Sequence, residues 1–510
     1  MEQKKPLDED RATLKRIARR VMIERHLLPD FSPEAVAELE GILSPAGIQS
    51  LPPAELPGIR DLTALPWASI DNDDSRDLDQ LTVAEKLAGD TVKIRVAVAD
   101  VDALVKSGSA IDEHARHNTV SVYTAAEIFP MLPEKLSTDL TSLGLGAERL
   151  AVVVEMSIGA DGALRGSDVY RARVVNHAKL AYNSVAAWLE GNAPAPEGIG
   201  AVEGLADNLR LQDRTAQKLK LLRHVHGALS LDTIEAKPVF DGETLRNLEV
   251  EERNRAKEII EDFMVAANGV TARLLASKKL SSIRRVVRTP KRWDRIVEIA
   301  SERKFRLPES PDSGALDQFL VKEKAADPLR FPDLSLSVIK LLGSGEYVAD
   351  PPEGAPPGHF ALAVKDYAHS TAPNRRYADI ITQRLVKAGI AGQAAPYTFA
   401  ALDELARHLT DAEDASRKVE RQVGKSAAAL LLTSKIGESF DALVTGASDK
   451  GTWARLIAIP AEGRVVRGFE GMDIGDKIRV VLTAVDVERG YIDFAKAGTG
   501  RRLPRRPASS

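Results

Sequence analysis

The chain has 510 residues, of which 44% are hydrophobic and 28% charged, with no cysteine and a formal net charge of −4 at pH 7. This composition is typical of a globular protein, and the length predicts about two to four domains. The absence of cysteine excludes disulfide bonds and thiolate metal sites.

The N-terminal region, residues 1–60, is predicted to be an accessory region of short helices. Apolar side chains from Leu14 to Met22 recur at helical spacing, and Ser32 followed by Pro33 is typical of a helix N-cap and first turn. The region lacks the apolar core of a secretion signal, and no apolar run in the sequence reaches the roughly 18 residues of a membrane helix. We therefore expect a cytoplasmic protein.

An acidic run follows, with the sequence IDNDDSRDLDQ from Ile70 to Gln80. The segments on both sides are mainly apolar, so we expect a loop between two strands. Asp71, Asp77 and Asp79 are close in sequence, and crowded carboxylates repel one another unless a cation or hydrogen-bond donors neutralise them. Oxygen-only ligands suit a hard cation such as Mg2+, and two such ions are a common means of hydrolysing a phosphodiester. A solvated acidic loop is the alternative that this pattern leaves open.

The middle of the chain alternates between predicted strands and helices. Val92 to Val98 alternate apolar with polar or small residues, and Leu150 to Met156 form an apolar run, so both are predicted strands. A further strand is predicted from Phe360 to Val364, after a loop rich in proline and glycine. Helical periodicity predicts helices at about residues 182–190, 201–227 and 251–277.

The stretch TAPNRRYAD, from Thr371 to Asp379, combines a proline with two adjacent arginines. Pro373 and the apolar spacing after it predict a helix that begins near Thr371, with Arg375 and Arg376 in its first turn. The helix dipole disfavours cations at this end, whereas a phosphate docked there would be held by the dipole and the guanidinium groups together. The alternative is an ion pair between Arg375 and Asp379 one turn later.

Connecting helices are predicted at residues 396–433, before a module of short strands separated by turns. The predicted strands are Phe440–Val444, Thr452–Ile459, Lys477–Val485 and Tyr491–Phe494. Short strands with glycine turns over about sixty residues are typical of a small barrel, of which the OB-fold is a common example. The basic tail, residues 498–510, is predicted to be disordered.

Four separated stretches resemble the RNB family of exoribonucleases, which contains ribonuclease II and ribonuclease R. They are IDNDDSRDLDQ, the segment from SVY to ERLA, GHFALAVKDY with AHSTAPNRRYADI, and the C-terminal module that begins IGESFDALVTG. The resemblance implies an α+β multidomain protein, with an RNB catalytic domain of mixed sheet and helices at 61–395 and an OB-fold β-barrel at 434–497. Residues 1–60 are too few for the two cold-shock barrels that commonly precede that catalytic domain, so we expect a short form without them.

The resemblance implies Mg2+-dependent hydrolysis of single-stranded RNA from its 3′ end to 5′-mononucleotides, by a mechanism with two Mg2+ ions. It implies a role in RNA degradation and processing, including the trimming of RNA 3′ ends. Single-stranded RNA is the expected partner, with no membrane and no obligate protein partner. One alternative stays open, a catalytically weakened RNA-binding regulator that retains the RNB channel. Whether the helices of residues 1–60 form a cap or contact RNA also stays open.

Matching the family motifs residue by residue implies three groups of site residues. The implied metal ligands are Asp71, Asp77, Asp79 and Gln80. The implied catalytic residues are Asp77, Asp79 and Arg375, of which the arginine contacts the scissile phosphate. The implied RNA-binding residues are Tyr123, Tyr182, Glu261, Arg375, Arg376 and Glu420. For the two glutamates, an ordinary surface position on a helix is the preferred interpretation.

Three positions in these motifs depart from the family pattern, among them Ala372, which stands where the family usually has serine. Gln80 stands where the family has a fourth acid, and its amide oxygen brings no charge, so one ion should bind more weakly. Asp73 and Asp74 are the candidates to compensate for that missing charge. Asn374 stands where the family usually has an apolar residue.

Overall fold

A mixed β-sheet forms the centre of the molecule. The computed structural model describes residues 10–43, 58–234, 236–250, 253–355, 357–448 and 451–498. In spatial order, the seven strands of the sheet are β1 (Arg60–Asp61), β8 (Leu164–Val175), β7 (Glu148–Ile158), β4 (Val92–Ala99), β3 (Gln80–Lys86), β2 (Ala68–Asp71) and β9 (Ala178–Ala181). β1 is parallel to β8 and β2 is parallel to β9, whereas the other neighbours are antiparallel.

In the part of the chain that the structure describes, three two-stranded antiparallel ribbons lie outside this sheet. They are β5 (Val122–Tyr123) with β6 (Ile128–Phe129), β10 (Ala236–Asp241) with β11 (Thr244–Val250), and β12 (Ser282–Val286) with β13 (Glu346–Asp350). We call the first of them, residues 122–129, the tyrosine hairpin because it carries Tyr123.

The helices cover the sheet and pack against one another. They are α1 (Asp10–Glu24), α2 (Pro33–Leu43), α3 (Ala110–Asn118), α4 (Tyr182–Leu189), α5 (Glu197–Gly200), α6 (Leu205–Val225), α7 (Arg255–Ser277), α8 (Trp293–Glu302), α9 (Ser313–Ala326), α10 (Phe331–Leu342), α11 (Tyr377–Ala391) and α12 (Phe399–Leu432). α7 lies against β2, β4, β7 and β8, and its Phe263 is fully buried in the same apolar cluster as the sheet. Burial of such a side chain contributes about 1.5 to 3 kcal/mol, so this packing fixes the sheet and its connecting loops.

Five strands close into a barrel at the C-terminal end of the described chain. They are β14 (Ser439–Ser448), β15 (Gly451–Leu456), β16 (Glu462–Arg467), β17 (Lys477–Asp486) and β18 (Tyr491–Lys496). The predicted fold class, an α+β domain followed by an OB-type barrel, is therefore confirmed. β16 was not predicted, because its buried positions are only Gly463 and Val465, which give a weak apolar pattern.

Several local predictions from the sequence are confirmed. The acidic run connects β2 to β3, and the predicted helices in the middle of the chain correspond to α4, α6 and α7. The apolar face of α1 from Leu14 to Met22 is buried. Ser32 caps α2, since its Oγ accepts a hydrogen bond from the Ala35 N–H at 3.2 Å.

The strand predicted from Phe360 to Val364 is wrong. Residues Phe360–Leu362 form a short 3-10 helix instead. The Nδ1 atom of His359 accepts a hydrogen bond from the Leu362 N–H at 3.2 Å, and Ala363 has a left-handed φ of 52°. This turn brings the His359 N–H to the Val364 carbonyl at 2.7 Å, so the segment folds back on itself.

The predicted start of the helix near Thr371 is also wrong, because α11 begins at Tyr377. The Ser121 N–H donates to the Arg375 carbonyl at 3.0 Å, and the Tyr377 N–H donates to the Thr119 carbonyl at 2.8 Å. This pairing with a distant segment keeps the backbone at Arg376 extended and delays the helix. The two arginines therefore precede the helix rather than occupying its first turn.

The domain boundaries remain a prediction, and all but the first residue of the predicted disordered tail, 498–510, lies outside the described residues. Within the described ranges, the helices are too short or too polar to cross a lipid bilayer.

A buried ion network anchors α11 to the sheet. The Arg384 guanidinium pairs with Asp102 at 2.7 Å and with Asp112 at 2.8 Å, and its side chain is only 4% exposed. It also donates to the Val105 carbonyl at 3.0 Å. Because these charges lie where water cannot replace a lost partner, the network holds the helix that follows Arg375 in one position.

Asp112→Ala is expected to reduce the free energy of unfolding by about 3 kcal/mol, because it leaves part of the buried Arg384 charge without its partner. The measurement is the midpoint of thermal and urea unfolding. Asp403→Ala is the control, since Asp403 forms an exposed ion pair with Arg407 on α12 and should change stability by less than about 1 kcal/mol. Equal effects of the two substitutions would contradict the anchoring role.

Candidate active site

The acidic run from Ile70 to Gln80 places its carboxylates at the end of the central sheet. Asp71 is the last residue of β2 and is paired with Ala181 on the parallel strand β9. Asp79 directly precedes β3, and its carbonyl accepts a hydrogen bond from the Ala99 N–H at 3.0 Å. Because both ends of the loop are fixed by strand pairing, Asp71 and Asp79 are held in place, whereas Asp73 and Asp74 between them are exposed.

Asp79 is held by the two residues that follow Pro373. Its Oδ1 accepts a hydrogen bond from the Asn374 N–H at 2.9 Å, and its Oδ2 accepts one from Arg375 Nε at 3.0 Å. The carboxylate is almost completely buried, with 2% of the side chain exposed. The predicted convergence of Asp79 and Arg375, almost 300 residues apart in sequence, is therefore present in the fold.

The two adjacent arginines have different partners. The alternative prediction that Arg375 pairs with Asp379 is wrong, because Arg376 makes that pair, with Nη2 at 2.7 Å from Oδ1. Asp379 is completely buried, and Arg376 also donates to Thr371 at 3.4 Å. Arg375 is committed to the acidic run, whereas Arg376 stabilises the start of α11.

Burial disfavours the charged forms of Asp71 and Asp79. It raises the pKa of Asp79 to about 7, because the attraction of Arg375 only partly offsets burial and the charge of Asp77 adds to it. Burial also raises the pKa of Asp71. For Arg375, burial lowers the pKa, but the surrounding acids and Tyr123 outweigh it and the pKa is raised. One guanidinium faces three carboxylates, so the cluster carries an excess of negative charge.

Tyr123 connects this cluster to solvent. Its hydroxyl donates to Asp77 Oδ2 at 2.9 Å, and 41% of the residue is exposed. Burial of the phenol and the charge of Asp77 raise the pKa of Tyr123, so the hydroxyl remains a donor at neutral pH. Its backbone N–H donates to Glu420 Oε1 on α12 at 3.0 Å. Glu420 is therefore tied to the site through Tyr123, which its helical surface position in the sequence did not indicate.

The donor set fits a hard divalent cation. Asp71, Asp77 and Asp79 offer only carboxylate oxygens, and their excess negative charge is what a divalent ion would neutralise. Over the described residues, the structure contains no group of three or more acids or histidines already arranged to hold a metal. Instead, Asp77 is turned to Tyr123 and Asp79 to Arg375. Gln80 begins β3 opposite Val98, directly after Asp79, and is almost fully buried.

The remaining predicted RNA-binding residues, Tyr182 and Glu261, lie on α4 and α7. Tyr182 begins α4 one residue after Ala181, which is the strand partner of Asp71. The Lys257 ammonium lies 5.9 Å from the centre of the Tyr182 ring. Glu261 on α7 is half exposed and forms ion pairs with Arg223 and Arg253, each at 3.7 Å.

Sequence reasoning missed the contribution of Thr141. Its hydroxyl lies 2.6 Å from the side-chain amide of Asn374 and 2.8 Å from the Leu136 carbonyl, and the Asn374 backbone N–H is the one that holds Asp79. Asn374 is 1% exposed, so this side-chain contact is buried. The signal in the sequence was an asparagine where the family usually has an apolar residue, but its partner becomes visible only in the fold.

Comparison with known proteins finds relatives over most of the chain. Ribonuclease R of Vibrio cholerae is 29% identical over 523 residues, which cover 95% of this chain and 62% of the relative. Exoribonuclease 2 of Salmonella paratyphi B is 32% identical over 409 residues, covering 78% of this chain and 61% of the relative. The chain thus spans about three fifths of the length of these two relatives.

A solved structure and two family descriptions agree with this result. The structure of Mycoplasma genitalium RNase R in complex with ribose-methylated single-stranded RNA superposes with a TM-score of 0.83 at 22% identity, covering 96% of this chain and 78% of that chain. Residues 438–497 match the RNase II-type exonuclease C-terminal S1 domain, and residues 59–392 match the RNB domain. Because the RNB match alone covers more than half of the sequence, the chain belongs to the RNB domain family.

Proposed function

We propose that this chain is a Mg2+-dependent exoribonuclease that hydrolyses single-stranded RNA from the 3′ end and releases 5′-mononucleotides. The observation that carries the proposal is the contact between Asp79 and Arg375 at 3.0 Å, beside the Tyr123 hydroxyl on Asp77 at 2.9 Å. A buried acid cluster, a cation for phosphate and an exposed aromatic ring for a base then lie within one site. Membership of the RNB family and the relatives named ribonuclease R and exoribonuclease 2 support the same activity.

Each protein group has a separate task in this proposal. Asp71, Asp77 and Asp79 would hold Mg2+, which supplies Lewis-acid stabilisation of the phosphate and a more acidic water. The Arg375 side chain is 45% exposed although Nε binds Asp79, so its remaining N–H groups can meet a phosphate. It would stabilise the charge that develops on the phosphate oxygens. The exposed Tyr123 ring would stack on the terminal base.

A second function is favoured by one observation, the neutral Gln80 beside Asp79. With an amide at this position, the chain would bind RNA in the same site and turn it over slowly or not at all. The two functions differ in a single measurement, which is whether a bound strand becomes shorter.

Asp79→Asn is expected to abolish mononucleotide release, by at least about a hundredfold, while RNA binding persists, because it removes a metal-binding charge and preserves the side-chain shape. The measurement combines a 5′-labelled oligoribonucleotide with Mg2+ on a denaturing gel and fluorescence anisotropy for binding. Asp90→Asn is the matched control, since Asp90 lies in the exposed β3–β4 turn at a φ of 54°, which asparagine also adopts. Binding without shortening by the unsubstituted chain would favour the regulator over the enzyme.

Arg375→Ala is expected to raise the reaction barrier by about 3 kcal/mol, a decrease of about a hundredfold in kcat, if the guanidinium acts on the phosphate in the transition state. Arg376→Ala provides the contrast. It leaves the buried Asp379 carboxylate without its cation, as Arg375→Ala leaves Asp79, so both variants should lower the melting temperature but only Arg375→Ala should also lower the rate of the folded protein. Single-turnover rates and melting curves of both variants separate the two roles. A fall in rate that parallels the fall in melting temperature for both would remove Arg375 from the catalytic group.

Gln80→Asp is expected to lower the Mg2+ concentration that gives half-maximal rate, because a fourth carboxylate adds charge at the metal site. Gln80→Asn is the control, since it keeps an amide and should not reproduce the effect. Titration calorimetry with Mg2+ alone gives a second reading that does not depend on turnover. An unchanged or higher Mg2+ requirement in the aspartate variant would exclude Gln80 from the metal site.

A further inference from the structure

The N-terminal helix α1 shares one apolar cluster with the tyrosine hairpin and α12. The cluster contains Ile17, Ala18, Val21, Met22 and Leu27 from the N-terminal region, Val122 and Phe129 from the hairpin, and Val419 and Val423 from α12. The members from the N-terminal region are at most 4% exposed. Val122 and Phe129 face each other across the hairpin, so both of its strands contribute to the cluster.

A polar contact fixes the turn of the same hairpin. Arg19 Nη1 lies 3.3 Å from Glu127 Oε1, and the same guanidinium pairs with Asp30 in the turn after α1. Within the turn, the Thr124 N–H donates to the Glu127 carbonyl at 3.1 Å, and the Thr124 hydroxyl donates to it at 2.6 Å. The turn is therefore closed on itself, and the Arg19 guanidinium links it to α1.

The hairpin is also held by α12. Glu420 accepts the Tyr123 N–H at 3.0 Å, and its sequence neighbour Val419 and Val423 one turn later belong to the apolar cluster shared with α1. The hairpin thus has support from two helices. An antiparallel ribbon with two residues in each strand is not stable alone, so its position depends on these supports.

We propose that α1 is a positioning element of the active site. Through Arg19 and its apolar face, it holds the tyrosine hairpin so that the Tyr123 ring meets the 3′-terminal base while the hydroxyl stays on Asp77. This inference rests on the proposed exoribonuclease function. It assigns the N-terminal helix to support of the site rather than to contact with RNA, since the apolar face of the helix is buried in the cluster with the hairpin and α12.

The same helix offers a matched control. Arg16, one turn before Arg19, pairs with Glu488 of the barrel instead of the hairpin, and Arg20 also pairs with Glu488 at 2.8 Å. Arg16 is more exposed than Arg19, and loss of its charge leaves the Arg20 contact in place. Arg16→Gln therefore removes an equal charge from α1 without touching the hairpin.

The experiment compares Arg19→Gln, Glu127→Gln, the double variant and Arg16→Gln in the full chain. Hydrogen–deuterium exchange is measured over the tyrosine hairpin, and KM and kcat are measured with a 5′-labelled single-stranded oligoribonucleotide. We expect faster exchange in the hairpin and a rise in KM of about three- to tenfold for Arg19→Gln and Glu127→Gln, with kcat within about twofold. The double variant should equal Arg19→Gln, because that substitution already removes the contact with Glu127 as well as the pair with Asp30. Arg19→Lys should restore most of the loss, and Arg16→Gln should change neither reading.

Two results would overturn the inference. One is unchanged hairpin exchange in Arg19→Gln and Glu127→Gln. The other is faster exchange with no change in KM, since the hairpin would then move without consequence for RNA. If the unsubstituted chain does not shorten RNA at all, the proposed function fails separately, and oligonucleotide affinity measured by anisotropy replaces KM in the same comparison.

Discussion

The charge balance at Asp79 is the constraint on which the rest of the structure depends. This carboxylate is 2% exposed, and both of its oxygens receive donors from residues almost 300 positions away, at Asn374 and Arg375. A buried carboxylate without such donors costs on the order of several kcal/mol. The fold must therefore bring residues 374–375 to Asp79, at the start of β3. The excess negative charge that remains, with Asp71 and Asp77, is what the proposed divalent cation would neutralise.

The backbone that places Arg375 also places Tyr123. Residues 119–121 pair with residues 375–377 through hydrogen bonds of 2.8 and 3.0 Å, and the same segment continues directly into the tyrosine hairpin. α11, which begins at this point, is anchored by the buried Arg384 network. The spacing between the proposed phosphate contact and the proposed base contact is thus set by backbone hydrogen bonds and buried ion pairs. Such support gives a functional site more precision than flexible loops provide.

Local sequence patterns predicted those parts of the fold that depend on local chemistry. The acidic loop, the burial of the α1 face and the barrel follow from periodicity and turn residues, and the meeting of Asp79 with Arg375 followed from the family motifs. The start of α11 was misplaced because the pairing of residues 375–377 with residues 119–121 overrides the local helix signal. The sequence also could not show that Glu420 accepts a hydrogen bond from the Tyr123 N–H, because 297 residues separate the two partners.

Asn374 shows how a polar side chain supports the geometry of the site. Its backbone N–H holds Asp79, and its buried side-chain amide lies 2.6 Å from the Thr141 hydroxyl, which is also 2.8 Å from the Leu136 carbonyl. A hydroxyl both donates and accepts, so Thr141 links Asn374 to Leu136, a link that an apolar side chain at position 374 would lose. The neighbouring Ser142 and Leu143 bind the backbone of Leu78 at 3.0 and 2.9 Å, on the other side of Asp79. Residues 141–143 therefore form hydrogen bonds with Leu78, which precedes Asp79 in sequence, and with Asn374, whose N–H binds the Asp79 carboxylate. The polar side chain at position 374 is what makes the second of these contacts possible.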